Sequence, residues 1–303
     1  MLICLSILFQ PVSLLASEID AEHKCSLTVT YSKGDVTFEG LEIYIYRVSD
    51  VTEDGELEKV DPFDKYPVNV QGVTSQTEWN DIALTIRGYV SANALEPYRS
   101  GVTDPQGRVS FADIETGLYY VMRVTTEKDG TTYTFFDTMV CIPMPDGDGY
   151  EYDLSIKPKS KQTDDAERTY TVTKLWCDEN GNERPDAVTV DILTGGEVLE
   201  TVTLNAGNNW TYSFAVKNGD ADLSVVEKNV PEGYTVKMTE REASFIITNT
   251  KEEGGQDAPP PSDAPQTGED FPINTVAVLL AISGIILVIF GSGQRRKDNV
   301  SQK

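Results

Sequence analysis

The tripeptide Thr-Val-Thr heads a strand-like run twice, at 28–30 followed by Tyr31 and at 171–173 followed by Lys174. Around each copy apolar and polar residues alternate with a period of two, which puts every second side chain on one face of a half-buried strand. In the first copy the next core-facing position carries an aromatic ring; in the second the same position carries an amine. Two β segments that start in one frame and diverge at one buried position constrain the fold to a repeated β unit, and they single out Lys174.

The rest of the chain supports two such segments. From Lys24 to about residue 160, runs such as CSLTVTYS, LEIYIYRV, GLYYVMRV and YTFFDTMVCI are rich in β-branched and aromatic residues. Turn elements such as Asp104-Pro105-Gln106-Gly107 and Asp129-Gly130 separate them. Over Trp79–Tyr98 the period changes: Ile82, Ala83, Ile86, Tyr89, Val90 and Ala94 recur at helical spacing, predicting one helix inserted into the first segment. The second segment, 167–251, again reads as short strands spaced by turns, the pattern of an antiparallel sandwich with Greek-key wiring. The expected fold class is all-β: two tandem Ig-like sandwiches over 24–160 and 167–251, the first with a helical insertion.

Apolar stretches flank these segments. Residues 1–16 read as the core of a secretion signal, assigned to 1–20. Ile273–Gly291 is long and apolar enough to span a bilayer as a transmembrane helix over 272–292. The basic tail that follows, 293–303 with Arg295, Arg296 and Lys297, places that end in the cytoplasm. Everything between is then secreted and extracellular. The net charge of −24 excludes nucleic acid, whose phosphates need a basic surface. A single histidine, His23, cannot build a His-based metal site, and no Ser/His/Asp set or phosphate loop is visible; the reading is of no enzyme, no metal and no cofactor. The Asp146–Gly149 and Asp178–Asn182 strings echo calcium loops but lack the required glycine and glutamate spacing, and read as hairpin turns. Once Cys4 leaves with the signal, Cys25, Cys141 and Cys177 remain. Cys25 opens the first strand and Cys141 lies in a late one, so a disulfide between them is expected, against two buried thiols; Cys177 is left free.

The second segment carries VTKLW (172–176), NERP (182–185), NNWTYSF (208–214), VVEKNVPEGYT (225–235) and FIITNT (245–250). In these it resembles the collagen-adhesin B-type (CnaB) domain of Gram-positive surface proteins and pilins. The resemblance implies a spontaneous amide (isopeptide) cross-link between a first-strand lysine and a last-strand asparagine, promoted by a buried carboxyl. The matching positions here are Lys174, Asn249 and Glu227. Burial favours the neutral amine and the neutral acid, which such a reaction needs. The stretch 103–124 resembles the same superfamily, but there Tyr31 replaces the lysine, Arg123 stands where relatives carry glutamate, and Pro158 lies near the expected asparagine; no such cross-link is expected in the first segment.

Residues 252–271 form a Pro/Gly-rich acidic linker. Within it Ala264, Pro265, Gln266, Thr267 and Gly268, followed by the apolar span and basic tail, resemble the LPXTG sorting signal with alanine at the first position. That implies a sortase as partner, cleavage between Thr267 and Gly268, and attachment to peptidoglycan or to other pilin subunits. The region 142–161 is similar to the segment that carries the polymerisation lysine of major pilins, with Lys159 at the lysine position. Two readings of Lys159 stand: the amine that receives the next subunit, or a solvated interdomain lysine. The expected function is a cell-wall-anchored structural protein, pilin-like subunit or adhesin stalk. The alternative is an adhesin gripping a host or matrix ligand through the first segment, with the Trp79–Tyr98 insertion as the suspected surface.

Overall fold

The computed structural model describes residues 18–146, 149–163, 166–178, 184–216 and 222–251. The linker, the sorting pentapeptide, the apolar span and most of the signal lie outside the described residues.

In chain order the first half carries β1 (Cys25–Thr30), β2 (Ser32–Lys33), β3 (Val36–Thr37), β4 (Glu42–Val51), β5 (Leu57–Lys59), α1 (Gln76–Asn93), β6 (Arg99–Val102), β7 (Arg108–Ile114), β8 (Gly117–Val121), β9 (Val124–Lys128), β10 (Thr131–Phe135), β11 (Thr138–Ile142), β12 (Met144–Asp146), β13 (Gly149–Glu151), β14 (Asp153–Ile156) and β15 (Ser160–Thr163). The second half carries β16 (Arg168–Cys177), β17 (Ala187–Thr194), β18 (Glu197–Asn205), β19 (Thr211–Val216), β20 (Leu223–Glu227), β21 (Tyr234–Arg241) and β22 (Ser244–Lys251).

Among the described residues no sheet mixes strands of the two halves. In the first half a β14-β1-β7 sheet packs against a sheet ordered β11-β8-β4-β5, with β6 also pairing β4. In the second half β19-β16-β22-β21 faces β18-β17-β20. Each half joins its first strand to a late one in parallel, β1 with β14 and β16 with β22. The architecture is therefore mostly β-sandwich with one α-helix. No described helix is long and apolar enough to cross a membrane.

Strand alternation explains the core of the first half. Cys25, Leu27 and Val29 of β1 point inward and meet Tyr119 and Val121 of β8. β8 is buried at all five positions. Its other face, Leu118 and Tyr120, packs into a second cluster with α1 and the interior of the second half. A strand covered on both sides needs apolar residues throughout, which is why GLYYV reads as a continuous run.

α1 starts at a capping box: Ser75 accepts from the Glu78 amide, and the Glu78 side chain accepts from the Ser75 amide. It ends at Ala94, whose left-handed conformation (φ 46°) closes the last turn. Helical spacing places this helix over Trp79–Tyr98; it forms three residues earlier and stops before Pro97, which cannot continue it. Every residue from Asp81 to Val90 is buried. The helix is thus interior, wedged between the halves, and the recognition surface suspected on this insertion is largely covered.

Candidate functional site

Three polar side chains sit where alternation demands core residues. On β16, Tyr170, Val172 and Lys174 point inward in succession. On β22 the inward set is Phe245, Ile247 and Asn249. β20 ends on Glu227 and is buried throughout. Lys174, Glu227 and Asn249 are 2, 1 and 0% exposed, as dry as the aliphatic residues around them.

The topology brings them together. β16 and β22 are parallel neighbours with Lys174 opposite Ile247 and Trp176 opposite Asn249, so the lysine and asparagine share one sheet and one face. Glu227 comes from the facing sheet. The Asn249 Nδ2 donates to Glu227 Oε1 at 2.9 Å, and the Lys174 Nζ lies 3.9 Å from Glu227 Oε2. One carboxyl therefore touches both the amine and the carboxamide. Nζ also donates to the Leu175 carbonyl at 2.7 Å and sits 3.9 Å above the Trp176 ring. Trp176 is held edge-on by Trp210 and Tyr234, at 5.8 and 5.3 Å between centroids. Among the described residues, Glu227 Oε2 and Asn249 Oδ1 are buried without a hydrogen-bond partner.

Burial governs the protonation of this set. It drives the Lys174 amine down to about 7, against the pull of the Glu227 charge. It pushes the Glu227 carboxyl up, against Lys174 and the Asn249 hydrogen bond. Both shifts favour neutral forms. A buried ion pair with unsatisfied oxygens is an expensive arrangement, because desolvation offsets the Coulomb attraction.

The remaining expected positions separate. Tyr31 is buried and packs edge-on against Phe135 at 5.1 Å; Arg123 and Pro158 are buried as well. Lys157 and Lys159 are exposed between β14 and β15. The expected Cys25–Cys141 disulfide is not formed: Cys25, Cys141 and Cys177 are all free thiols. The reason is strand alternation. Cys25 faces the cluster inside the first sandwich, as do Val140 and Ile142, whereas Cys141 between them faces the opposite cluster around α1. Among the described residues no group of three acidic, histidine or cysteine side chains is placed to hold a metal ion. Trp176, whose ring covers the amine, and the Leu175 carbonyl were missed in the sequence; the aromatic two positions past Lys174 on its own strand face was the available signal.

The three side chains stand in a sandwich whose first and last strands run parallel, and residues 170–250 match the family described as Cna protein B-type domain. Over these residues the chain is similar to Cna B-type domains. A collagen adhesin of Staphylococcus aureus is 30% identical over 93 residues, which cover 28% of this chain and 8% of the relative. The chain thus matches only a small part of that relative's length. Solved structures with similarity to the chain include a single B repeat unit of the S. aureus collagen-binding surface protein Cna, at 15% identity, covering 76% of this chain and 99% of that one with a TM-score of 0.26. The shaft pilin SpaA from Lactobacillus rhamnosus GG is 13% identical, covering 77 and 100%, with a TM-score of 0.28. The major pilin SpaD from Corynebacterium diphtheriae is 14% identical, covering 78 and 66%, with a TM-score of 0.31. Scores this low do not establish a shared global arrangement; the Cna B-type assignment rests on the family match over 170–250.

Proposed function

We propose that this chain is a structural protein of a Gram-positive cell surface, a pilin-like subunit or adhesin stalk, whose Cna B-type domain locks itself with an amide bond between Lys174 and Asn249. The observation that carries this reading is a single carboxyl, Glu227, in contact with both prospective partners in a dry core. The neutral Lys174 amine attacks the Asn249 side-chain carbonyl carbon. The bond to Nδ2 breaks, and ammonia leaves. Glu227 lies on the leaving-nitrogen side, so the neutral acid gives its proton to Nδ2 and takes up in its place the proton lost by Nζ, ending as it began. Fixing both groups on adjacent strands supplies most of the rate. The product removes a buried amine from beside a carboxyl with an unsatisfied oxygen and leaves a neutral amide. The reaction occurs once per molecule and does not turn over.

In this reading the sortase signal at 264–268 joins Thr267 to the wall or to the next subunit, and the exposed Lys159 is the receiving amine in a polymer. Digestion of the full chain should yield one branched peptide joining the segments around Lys174 and Asn249. Wall extracts should show a ladder of bound species that Lys159→Ala removes. Two separate linear peptides overturn the lock, and a single band from the unmutated strain overturns polymerisation.

A further inference from the structure

Two edge strands of the second sandwich lie next to α1. β20 is the edge of one sheet and β21 the edge of the other, so the side of the sandwich between them is where its interior opens. α1 packs on both. Three backbone groups of these edges are taken up by the first half. Arg87 donates to the Leu223 carbonyl at 2.8 Å, the Met238 amide donates to Thr85 Oγ1 at 2.8 Å, and the Val236 amide donates to the Pro67 carbonyl at 2.8 Å. Val236 is the residue paired with Asn249 across β21 and β22. The helix backbone is pressed onto β20: a Cβ at Gly88 would fall 2.7 Å from the Val225 carbonyl oxygen and 3.2 Å from Val226 Cβ. Next to Gly88, burial pushes the Tyr89 phenol up, and the nearby Glu227 carboxyl adds to that shift, which places this helix position beside the site.

We infer that α1 is a wall of the cross-link site, plugging the open side of the second sandwich, so that the Lys174–Asn249 amide forms only once the first half has docked. This rests on the cross-link reading above. The plug keeps water from Glu227 and fixes β20 against β21, which together carry or support two of the three reacting residues. Gly88 and Thr85 are positioning residues in this scheme; neither touches the reacting atoms. The amide becomes a covalent record that the two halves came together. A helix held off the edges would let water in and return the amine toward its ordinary value of 10.5 from about 7. The neutral amine population would then fall by a factor of about 10³ at most.

The test follows the rate at which the branched Lys174–Asn249 peptide appears in full-length chain made by cell-free synthesis. Gly88→Ala and Thr85→Val should each slow it by at least about tenfold, within that ceiling. Val216→Ala, a cavity in β19 at the edge of its sheet opposite β21, should lower stability but leave the rate within about twofold. Tryptophan fluorescence of Trp176 and Trp210 reports whether the second sandwich has folded in each variant; should one helix variant not fold, the other carries the comparison. Equal rates in the unmutated chain and a folded helix variant overturn this inference alone. Slowing by Val216→Ala as large as by the helix variants also overturns it, since stability rather than the plug would then set the rate. An unmutated chain that never forms the branched peptide overturns the cross-link reading itself.

Discussion

At the scale of single residues, Lys174 decides the behaviour of the site. Its frame was legible in the sequence because Tyr170, Val172 and Lys174 share one parity, and a lysine in that register must be buried. The carboxyl partner was legible only through family resemblance: nothing in LSVVE by itself says that Glu227 points inward, since all five residues of β20 are buried. An uncross-linked variant exposes the protonation chemistry. In Asn249→Ala the amine of Lys174 persists, with its folded value lowered to about 7 from 10.5. Between those values the unfolded chain binds the extra proton, so stability rises with pH across that window, by up to roughly 5 kcal/mol. Glu227 has the opposite sign. Its folded value is raised above 4.5, the folded form holds the proton longer, and stability falls as pH rises from there. Urea titrations of Asn249→Ala should therefore show a stability minimum near neutrality with a rising limb towards pH 10, and the rising limb should be missing in the unmutated chain, whose amide does not titrate. A flat profile for Asn249→Ala contradicts the assigned burial of the amine.

At the scale of elements, the amide would tie β16 to β22, the first and last strands of one sheet. Closing a loop of that length stabilises by roughly 4 kcal/mol through the unfolded state, by analogy with disulfides. Glu227→Ala should lose this contribution together with the packing of the carboxyl, a drop of at least about 4 kcal/mol in chemical unfolding; a loss below about 1 kcal/mol would mean that the strands are not tied. Strand positions in both halves were readable because period-two patterning and turn residues agree. The cysteine pairing was misread because parity was not applied to it: in β11, Val140 and Ile142 share a face and Cys141 takes the other. The start of α1 was written in Ser75 and Glu78, a capping box. Its burial was not, because Asp81 and Arg87 look like a solvated face until their partners are known. Asp81 accepts from Thr239 at 3.0 Å, and Arg87 pairs with Asp137 at 2.6 Å.

At the scale of the described molecule, no sheet mixes strands of the two halves, but one apolar cluster runs from β8 through α1 into the second half. No local pattern announces a core shared by residues more than a hundred positions apart. Arg87 sits at this junction, bound to Asp137 of the first half and to the Leu223 carbonyl of the second. Tyr120 and the Arg123 amide also converge on Asp137. Asp137→Ala would strand a buried guanidinium, at a cost of about 3–5 kcal/mol. Calorimetry should show the unmutated protein melting in one transition and Asp137→Ala separating into two; a single unshifted transition in the variant would show that the junction contributes little.

The most direct measurement is the intact mass of the purified full chain, taken beside Lys174→Ala, Glu227→Ala and Asn249→Ala. The unmutated protein should be lighter than its sequence by one ammonia, and each variant should have the full mass of its own sequence. An unmutated protein at full sequence mass would contradict the self-locking account.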